Sequence, residues 1–545
     1  MKKLSLVALA TMAFLVSCSD ETTVYSDPKD DVVLEGDQSV LDNSISFDNS
    51  GVLDIFEQDK STGRFSKSSN DGEAGDYPLT LVAQVNSPTY SGTLLTASHV
   101  DVEGDYAYVS YNTAGATYLG GVDAINISDP NNPRVTGRLY YTNADINAVK
   151  YDNGYVYIAG GFDSEKSATA DFNSFVGKIT VSNGRFDLGG GITYGFQEGF
   201  NATDVKVMGD KLLVASGKDG LLRVYDKNTV EMVQEVPFAD LRAMAVKDND
   251  IAILDGSHGV SLLDANLETK QDIAINSDFG DFSKRTLDFY EDKIIVSEGS
   301  KGAGVYDLSS GTLLEHVPIL INPDGVDSSD IVTNAVAINE GVVLMANGGA
   351  GLCLSEDNGN NTDLVGIIEL NGSINYVESK GDYAFAASGK SGLQIIKMNK
   401  PSASLVAACT ETPIYEGSSN LSVDTGAILA YSGSKRFRTL NVNGSLLLCG
   451  SWTVREAVNI NENAVFEMNG TLVVARNNKR RNVTLGEGAT FRVEGNLTIY
   501  GDLILNEGAT LEFLGANSVV NVFGDVVRNG NTEITGTFRD VQNKF

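Results

Sequence analysis

Val205-Lys206-Val207-Met208-Gly209-Asp210-Lys211-Leu212-Leu213-Val214-Ala215-Ser216-Gly217, followed by Leu221-Leu222-Arg223-Val224-Tyr225-Asp226, decides the fold. It reads as three short strands joined by two tight turns. Gly and Asp supply the turn conformations, and the β-branched and aliphatic residues suit a pleated, half-buried surface. The same outline returns at Tyr376-Val377-Glu378-Ser379-Lys380-Gly381-Asp382-Tyr383-Ala384-Phe385-Ala386-Ala387-Ser388-Gly389, followed by Gly392-Leu393-Gln394-Ile395-Ile396.

Seven residues open the second strand of such a unit: Tyr106, Tyr155, Lys211, Asp250, Lys293, Val342 and Tyr383, at intervals of 49, 56, 39, 43, 49 and 41. A period of about 40–50 residues with three or four strands per unit predicts propeller blades, and seven blades close a ring without open sheet edges. A fourth, outer strand is visible from Pro133 to Tyr141. Leu79 to Val85 has the same character and precedes the first unit, so it is a candidate to complete blade seven; Ser404 to Ala408 is the alternative.

These units resemble the LVIVD-repeat family of bacterial surface and secreted propellers. The resemblance is carried by Gly121-Val122-Asp123-Ala124-Ile125-Asn126-Ile127-Ser128-Asp129-Pro130-Asn131-Asn132-Pro133 and by Gly381 to Gly389. It covers roughly 320 of the 545 residues and is clearest in blades one, three and seven; blades four to six mostly lack the Ser-Asp-Pro turn. It implies a propeller and a surface or secreted location, but no particular activity, because function resides in sites grafted onto folds.

Beyond about residue 410 the pattern changes. Short strands alternate with turns such as Asn443-Gly444, Asn469-Gly470, Glu487-Gly488-Ala489, Glu494-Gly495-Asn496 and Glu507-Gly508-Ala509. Ala464, Ala489 and Ala509 recur at intervals of 25 and 20, and Val483 to Phe491 and Leu503 to Phe513 alternate strictly. Two strands per period of about 20 suggest a stacked β-solenoid or β-roll. The fold class is therefore all-β: a seven-bladed β-propeller over residues 78–408, then a smaller β-solenoid-like domain over 409–545.

The N-terminus sets the compartment. Lys2 and Lys3 precede an apolar stretch from Leu4 to Val16. That stretch is too short for a comfortable membrane span and reads as a signal peptide, residues 1–17. Leu15-Val16-Ser17-Cys18 resembles the bacterial lipobox, which implies acylation of Cys18. Ser19-Asp20-Glu21 resembles the acidic signal that sends Bacteroidetes lipoproteins to the cell surface; the periplasmic face of the outer membrane is the alternative location. Residues 19–76 hold 15 Asp+Glu against 4 Lys+Arg, so 18–77 is expected to be a flexible acidic tether, with local docking at Val52, Leu53, Ile55 and Phe56. Three further cysteines remain, and Cys409–Cys449 is the expected disulfide, leaving Cys353 as a buried thiol.

The net charge is −32, which disfavours nucleic acid as a partner. From residue 410 onward the balance is 12 Lys+Arg against 14 Asp+Glu, so the acidic excess lies in the tether and propeller. Arg476, Lys479, Arg480 and Arg481 form a basic cluster there. It reads either as a solvated loop or as a contact with anionic glycan or with the propeller.

Propeller register places candidate site residues. Eight positions before the seven anchors stand Ser98, Asn147, Thr203, Arg242, Arg285, Asn334 and Asn375, all polar. Two positions further, Val100, Val149, Val205, Met244, Leu287, Val336 and Val377 are all apolar. A polar ring above an apolar wall suits a binding mouth; the plainer role is satisfaction of strand ends and channel waters. Arg242 and Arg285 suit a carboxylate or sulfate. His99, Asp204 and Tyr376 follow the ring, and Asp255 and Glu298 fall near the same mouth. With Asp204 these two acids form a candidate Ca²⁺ set, though no calcium-loop spacing supports it, and no other cofactor is expected.

Catalytic motifs are sparse: His99, His258 and His316 lack metal-ligand spacing, and no nucleophile elbow or phosphate loop occurs. The favoured reading is a lipid-anchored, non-catalytic surface protein that binds a glycan or extracellular protein through the mouth. The alternative is a propeller hydrolase or lyase acting on an extracellular polymer or lactone.

Overall fold

Every one of the seven anchors opens the second strand of an antiparallel sheet in the computed structural model, which describes residues 32–53, 55–58, 65–67, 79–167, 169–280, 284–321, 323–339, 341–357, 362–398, 407–410 and 412–545. Blade one runs from Thr96–Glu103 at the centre through Tyr106–Asn112 and Gly120–Asn126 to Arg134–Tyr141 at the rim. The inner strands of the following blades are Ala144–Asp152, Asp204–Met208, the second half of Met232–Lys247, Leu287–Tyr290, Ala335–Asn339 and Tyr376–Lys380. Met232–Lys247 serves two blades, pairing first with Lys218–Asp226 and then with Asp250–Asp255.

Blade seven settles the closure. Its outer strand is Leu79–Val85, paired antiparallel with Leu393–Met398. The ring is thus locked by strand exchange between the two ends of the propeller. Each inner strand packs on the next, and blade seven's on blade one's. Ala97 N–H donates to the Gly389 carbonyl at 2.9 Å across that seam. Val100, Val149, Val205, Met244, Leu287, Val336 and Val377 are all buried between blades. Each such side chain removed from water contributes about 1.5–3 kcal/mol, which is why this position is apolar in all seven units.

The acidic segment expected as a flexible tether over 18–77 is, in part, built into the fold. Val32–Leu34 adds a fifth strand to blade one, pairing with Arg134–Tyr141. Ile45–Ser46 and Gly51–Val52 add to the rim of blade seven, and Ile55–Gln58 to that of blade six. A short helix, Gln38–Asp42, capped by Asp37, joins the first two. The belt therefore crosses the closure seam. Its signal is weak in composition because strand addition uses backbone groups, which every residue carries.

Six rungs of parallel strands follow, from Asn420–Val423 and Ile428–Phe437 to Val526–Arg528 and Glu533–Asp540. One sheet stacks the short strands and the other the long ones, all parallel. Gly433, Gly450, Gly470 and Gly495 lie in register with φ between 117° and 122°, and a Cβ at Gly450, Gly470 or Gly495 would meet the carbonyl of the glycine one rung before. Only glycine fits that bend. Phe466 stacks on Phe491 with centroids 4.8 Å apart inside the solenoid. Cys409 and Cys449 form a disulfide, with Cα atoms 5.8 Å apart, and Cys353 is a buried free thiol.

The two domains touch through the belt. Arg476 bridges to Gly51, Asn477 N–H donates to the Ser50 carbonyl at 2.7 Å, and its side chain donates to Phe47 at 2.7 Å. Tyr500 stacks on Phe523, which meets Phe47. Arg481 is held by Glu456 at 2.6 Å. Of the two readings of the basic cluster, its Arg476 end makes a contact with the propeller side.

Candidate ligand site at the propeller mouth

The innermost strand of each blade is an edge, so its central backbone groups need partners other than a sheet neighbour. The polar ring supplies them. Ser98 Oγ donates to the Ile146 carbonyl at 2.8 Å, Asn147 Nδ2 to Ala202 at 3.0 Å and Thr203 Oγ1 to Leu241 at 3.3 Å. Arg242 donates to Gly280 at 2.7 Å, and Arg285 to Asn334 Oδ1 at 2.7 Å. Asn334 Nδ2 reaches Ile374 at 2.9 Å, and Asn375 Nδ2 reaches Ala97 at 2.8 Å. Each ring residue thus clasps the next blade, and the circle is complete. The ring is a structural clasp first, and five of its members also face a cavity.

That cavity, of about 370 Å³, sits at the mouth and is lined by Ser98, Asn147, Thr203, Arg242 and Asn375 of the ring. Asn112, Phe200, Asn201, Lys218, Asp240 and Lys284 complete its principal walls. Asn112, Asn147 and Asn201 form a relay: Asn112 Nδ2 donates to Asn147 Oδ1 at 2.9 Å, and Asn147 Nδ2 donates to Asn201 Oδ1 at 2.8 Å. Asp145 fixes the adjoining loop by accepting from Thr113 N–H at 2.8 Å, and burial pushes its carboxyl up to about 6. Arg285 and Asn334 bind one another and do not line the cavity.

Beneath the mouth, the channel holds a second polar layer. His99 is 2% exposed and stacks on Tyr376 with centroids 3.9 Å apart. Neither of its ring nitrogens has a hydrogen-bond partner among the described residues. Burial, then the charges of Lys284, Lys206 and Lys150, hold the imidazole well below its usual range, so it is neutral. Asp204 accepts from Met244 N–H at 2.8 Å, and Asp101 accepts from Tyr151 N–H at 2.7 Å and from Lys150 at 2.7 Å. Asp288 accepts from Ile338 N–H at 3.1 Å. These carboxylates serve the exposed backbone edge of the neighbouring inner strand.

The candidate calcium set does not assemble. Asp255 is taken by Ala239 N–H at 3.1 Å and by Ser257 N–H and Oγ at 2.8 and 2.6 Å. Glu298 accepts from Ser277 and from Tyr306 Oη at 2.6 Å. Asp204 stands in the channel. Among the described residues no group of three or more His, Cys, Asp and Glu is placed to hold a metal ion. The carboxylates fail to converge because each satisfies donors in its own part of the ring. Neither Asp255 nor Glu298 lines the mouth cavity, and His99 and Asp204 lie below it.

Lys284 is the residue that register alone missed. It stands one position before the ring, where the other blades carry Ala97, Ile146, Ala202, Leu241, Thr333 and Ile374. A single charge among apolar residues and one Thr was the available signal. Its Nζ donates to the Asn147 carbonyl at 2.7 Å and lies 5.1 Å from the Tyr376 ring centroid.

No family model matches the chain, and no curated protein matches it. Solved structures similar to it include the WD40 β-propeller domain of Doa1, at 13% identity over 58% of this chain and 96% of that one, with a TM-score of 0.42. The RRP9 WD40 repeats are 11% identical over 60% of this chain and 100% of theirs, with a TM-score of 0.45. The fold assignment itself stands on the seven sheets and their closure.

Proposed function

We propose that the protein is a lipid-anchored recognition module of the bacterial outer surface, which binds a glycan or an extracellular protein at the mouth of its propeller without transforming it. The observation that carries this reading is the cavity above a closed clasp ring. Asn112, Asn201, Asn375 and Lys218 line it, and Asn112 Oδ1, Asn201 Nδ2, Asn375 Oδ1 and Lys218 Nζ make no hydrogen bond among the described residues. Concave sites with a few convergent polar groups and an apolar lip, here Phe200, are the usual form of ligand sites.

The anchor rests on the lipobox resemblance at Leu15-Val16-Ser17-Cys18, which lies outside the described residues. The surface location rests on Ser19-Asp20-Glu21 and on the likeness of the blades to LVIVD-repeat propellers. With the belt starting at Val32, the chain between Cys18 and the fold spans at most roughly 50 Å when fully extended. The anchored body would therefore stay close to the membrane.

Protease shaving of intact cells, with the purified protein screened in parallel on glycan and matrix-protein arrays, tests this reading. Cleavage on intact cells together with specific retention supports it. Protection from protease contradicts the surface location, and absence of any retained ligand contradicts recognition.

A further inference from the structure

The mouth is electropositive in a chain whose net charge is −32. Among the described residues its charged lining is Lys218, Arg242 and Lys284 against Asp240, and Asp240 already pairs with Arg242 at 2.5 Å. Lys284 reaches a backbone carbonyl and an aromatic face but no carboxylate. Its neighbour Arg285 is 3% exposed and donates to the Lys284 carbonyl at 2.6 Å and to Asn334. Neither cation forms a salt bridge among the described residues. A half-buried cation such as Lys284 without a counter-ion is partly desolvated at a cost, and a carboxylate brought by a ligand would relieve that cost through a charge-assisted hydrogen bond.

We propose that the mouth selects a carboxylate-bearing, polyhydroxylated ligand about the size of a sugar residue, with Lys284 holding its carboxylate at the throat. This rests on the recognition reading above. The side-chain amides of Asn112, Asn201 and Asn375 offer both acceptors and a donor to hydroxyl groups. The cavity volume of about 370 Å³ lies at the small end of ligand sites, which suits one such unit better than a long chain.

Lys284 also makes the site proton-linked. Burial pushes its amine down to about 7, with Asp204 opposing the shift and Lys206 adding to it. Among the described residues, Arg242 and Asp240 of blade four, neutral His99 of blade one and Tyr376 of blade seven are the other charged and titratable groups near it. A bound carboxylate stabilises the ammonium form, so binding takes up protons near neutral pH and weakens as the amine deprotonates.

The test is calorimetric titration of the full chain with D-glucuronate, D-galacturonate and D-mannuronate, each beside its neutral parent sugar. A triuronate arm distinguishes a free acid from a chain end. At least one uronate is expected to bind about tenfold or more tightly than its parent. That preference is expected to fall about tenfold between pH 6 and pH 8.5. Lys284→Gln is expected to abolish the preference, whereas Lys284→Arg, charged at every pH, is expected to keep it and flatten the pH profile. Melting curves of both variants separate misfolding from lost recognition, and wild-type pH dependence stands even where a variant fails to fold. Equal binding of acids and neutral sugars, or a preference that survives Lys284→Gln, overturns the inference and leaves the recognition reading in place. Failure of every uronate overturns it too, and only a blank on all arrays also overturns recognition.

Discussion

Asn375 Nδ2 donates to the Ala97 carbonyl at 2.8 Å, and with that bond blade seven is clasped to blade one across 278 residues of sequence. Other bonds across the seam include the Ala97–Gly389 backbone contact, Asn131 Nδ2 donating to Tyr383 Oη at 3.1 Å, and the pairing of Leu79–Val85 with Leu393–Met398. Asn375→Ala leaves the Ala97 carbonyl short of its partner inside the ring. A loss of about 1–3 kcal/mol is expected in urea unfolding.

Asp123 belongs to the stretch that carries the LVIVD resemblance, and its role here is structural. Arg138 grips it through two bonds of 2.7 Å, and Tyr111 Oη adds a third at 3.1 Å. Both members of the pair are buried. Asp123→Asn leaves the guanidinium buried without its counter-charge. A cost of about 3–5 kcal/mol is expected, read as a lower melting temperature, while Asp123→Asn with Arg138→Met should recover much of it.

Gly51 is where belt and solenoid meet. Its φ is +133°, and a Cβ there would fall 2.4 Å from the Arg476 Cα. Gly51→Ala is expected to unseat the belt from the solenoid, because neither backbone can give way. Faster proteolysis between residues 47 and 53, with the remaining piece that carries both propeller and solenoid staying folded, is the expected result.

The channel acids make stability fall with pH. Burial, then Asp101 and Asp288, raise the Glu378 carboxyl to about 7, and burial raises Asp288 to about 6. Between about pH 4.5 and pH 7 the folded protein keeps the Glu378 proton that the unfolded chain has released. Stability therefore declines as pH rises through that window. Lys284, pushed down to about 7, acts oppositely: between pH 7 and about 10 the unfolded chain binds the extra proton, and stability rises with pH. Glu378→Gln is expected to remove on the order of 2 kcal/mol of the decline. Melting temperatures of both proteins at pH 5 and pH 7 measure it.

The propeller was legible because its determinants are local and repeated. The seven anchors, the seven polar ring positions and the apolar positions two residues on all follow from edge-strand and interblade packing. The belt was legible only at Val52, Leu53, Ile55 and Phe56, where docking was expected; Val32–Leu34 contributes backbone pairing inside a segment whose composition reads as acidic and solvated. The site was legible only in outline. Ser98, Asn147, Thr203, Arg242 and Asn375 reach the cavity by register. Phe200 and Asn201 reach it from a connecting segment whose path repeats poorly between blades, and Lys218 from the first position of the strand Lys218–Asp226. Asp255 and Glu298 do not line the cavity, because strand register fixes height in the ring but not which neighbouring donors a carboxylate takes.

Ala114→Trp tests recognition through the mouth most directly. Ala114 lines the cavity from an exposed turn and belongs to no clasp, so a bulky ring there blocks the mouth while leaving the fold intact. Array binding of the wild-type protein and of Ala114→Trp, with matched melting temperatures, is the measurement. Retention by the wild type and its loss in the variant are expected. A ligand that binds both proteins equally would contradict recognition at the mouth.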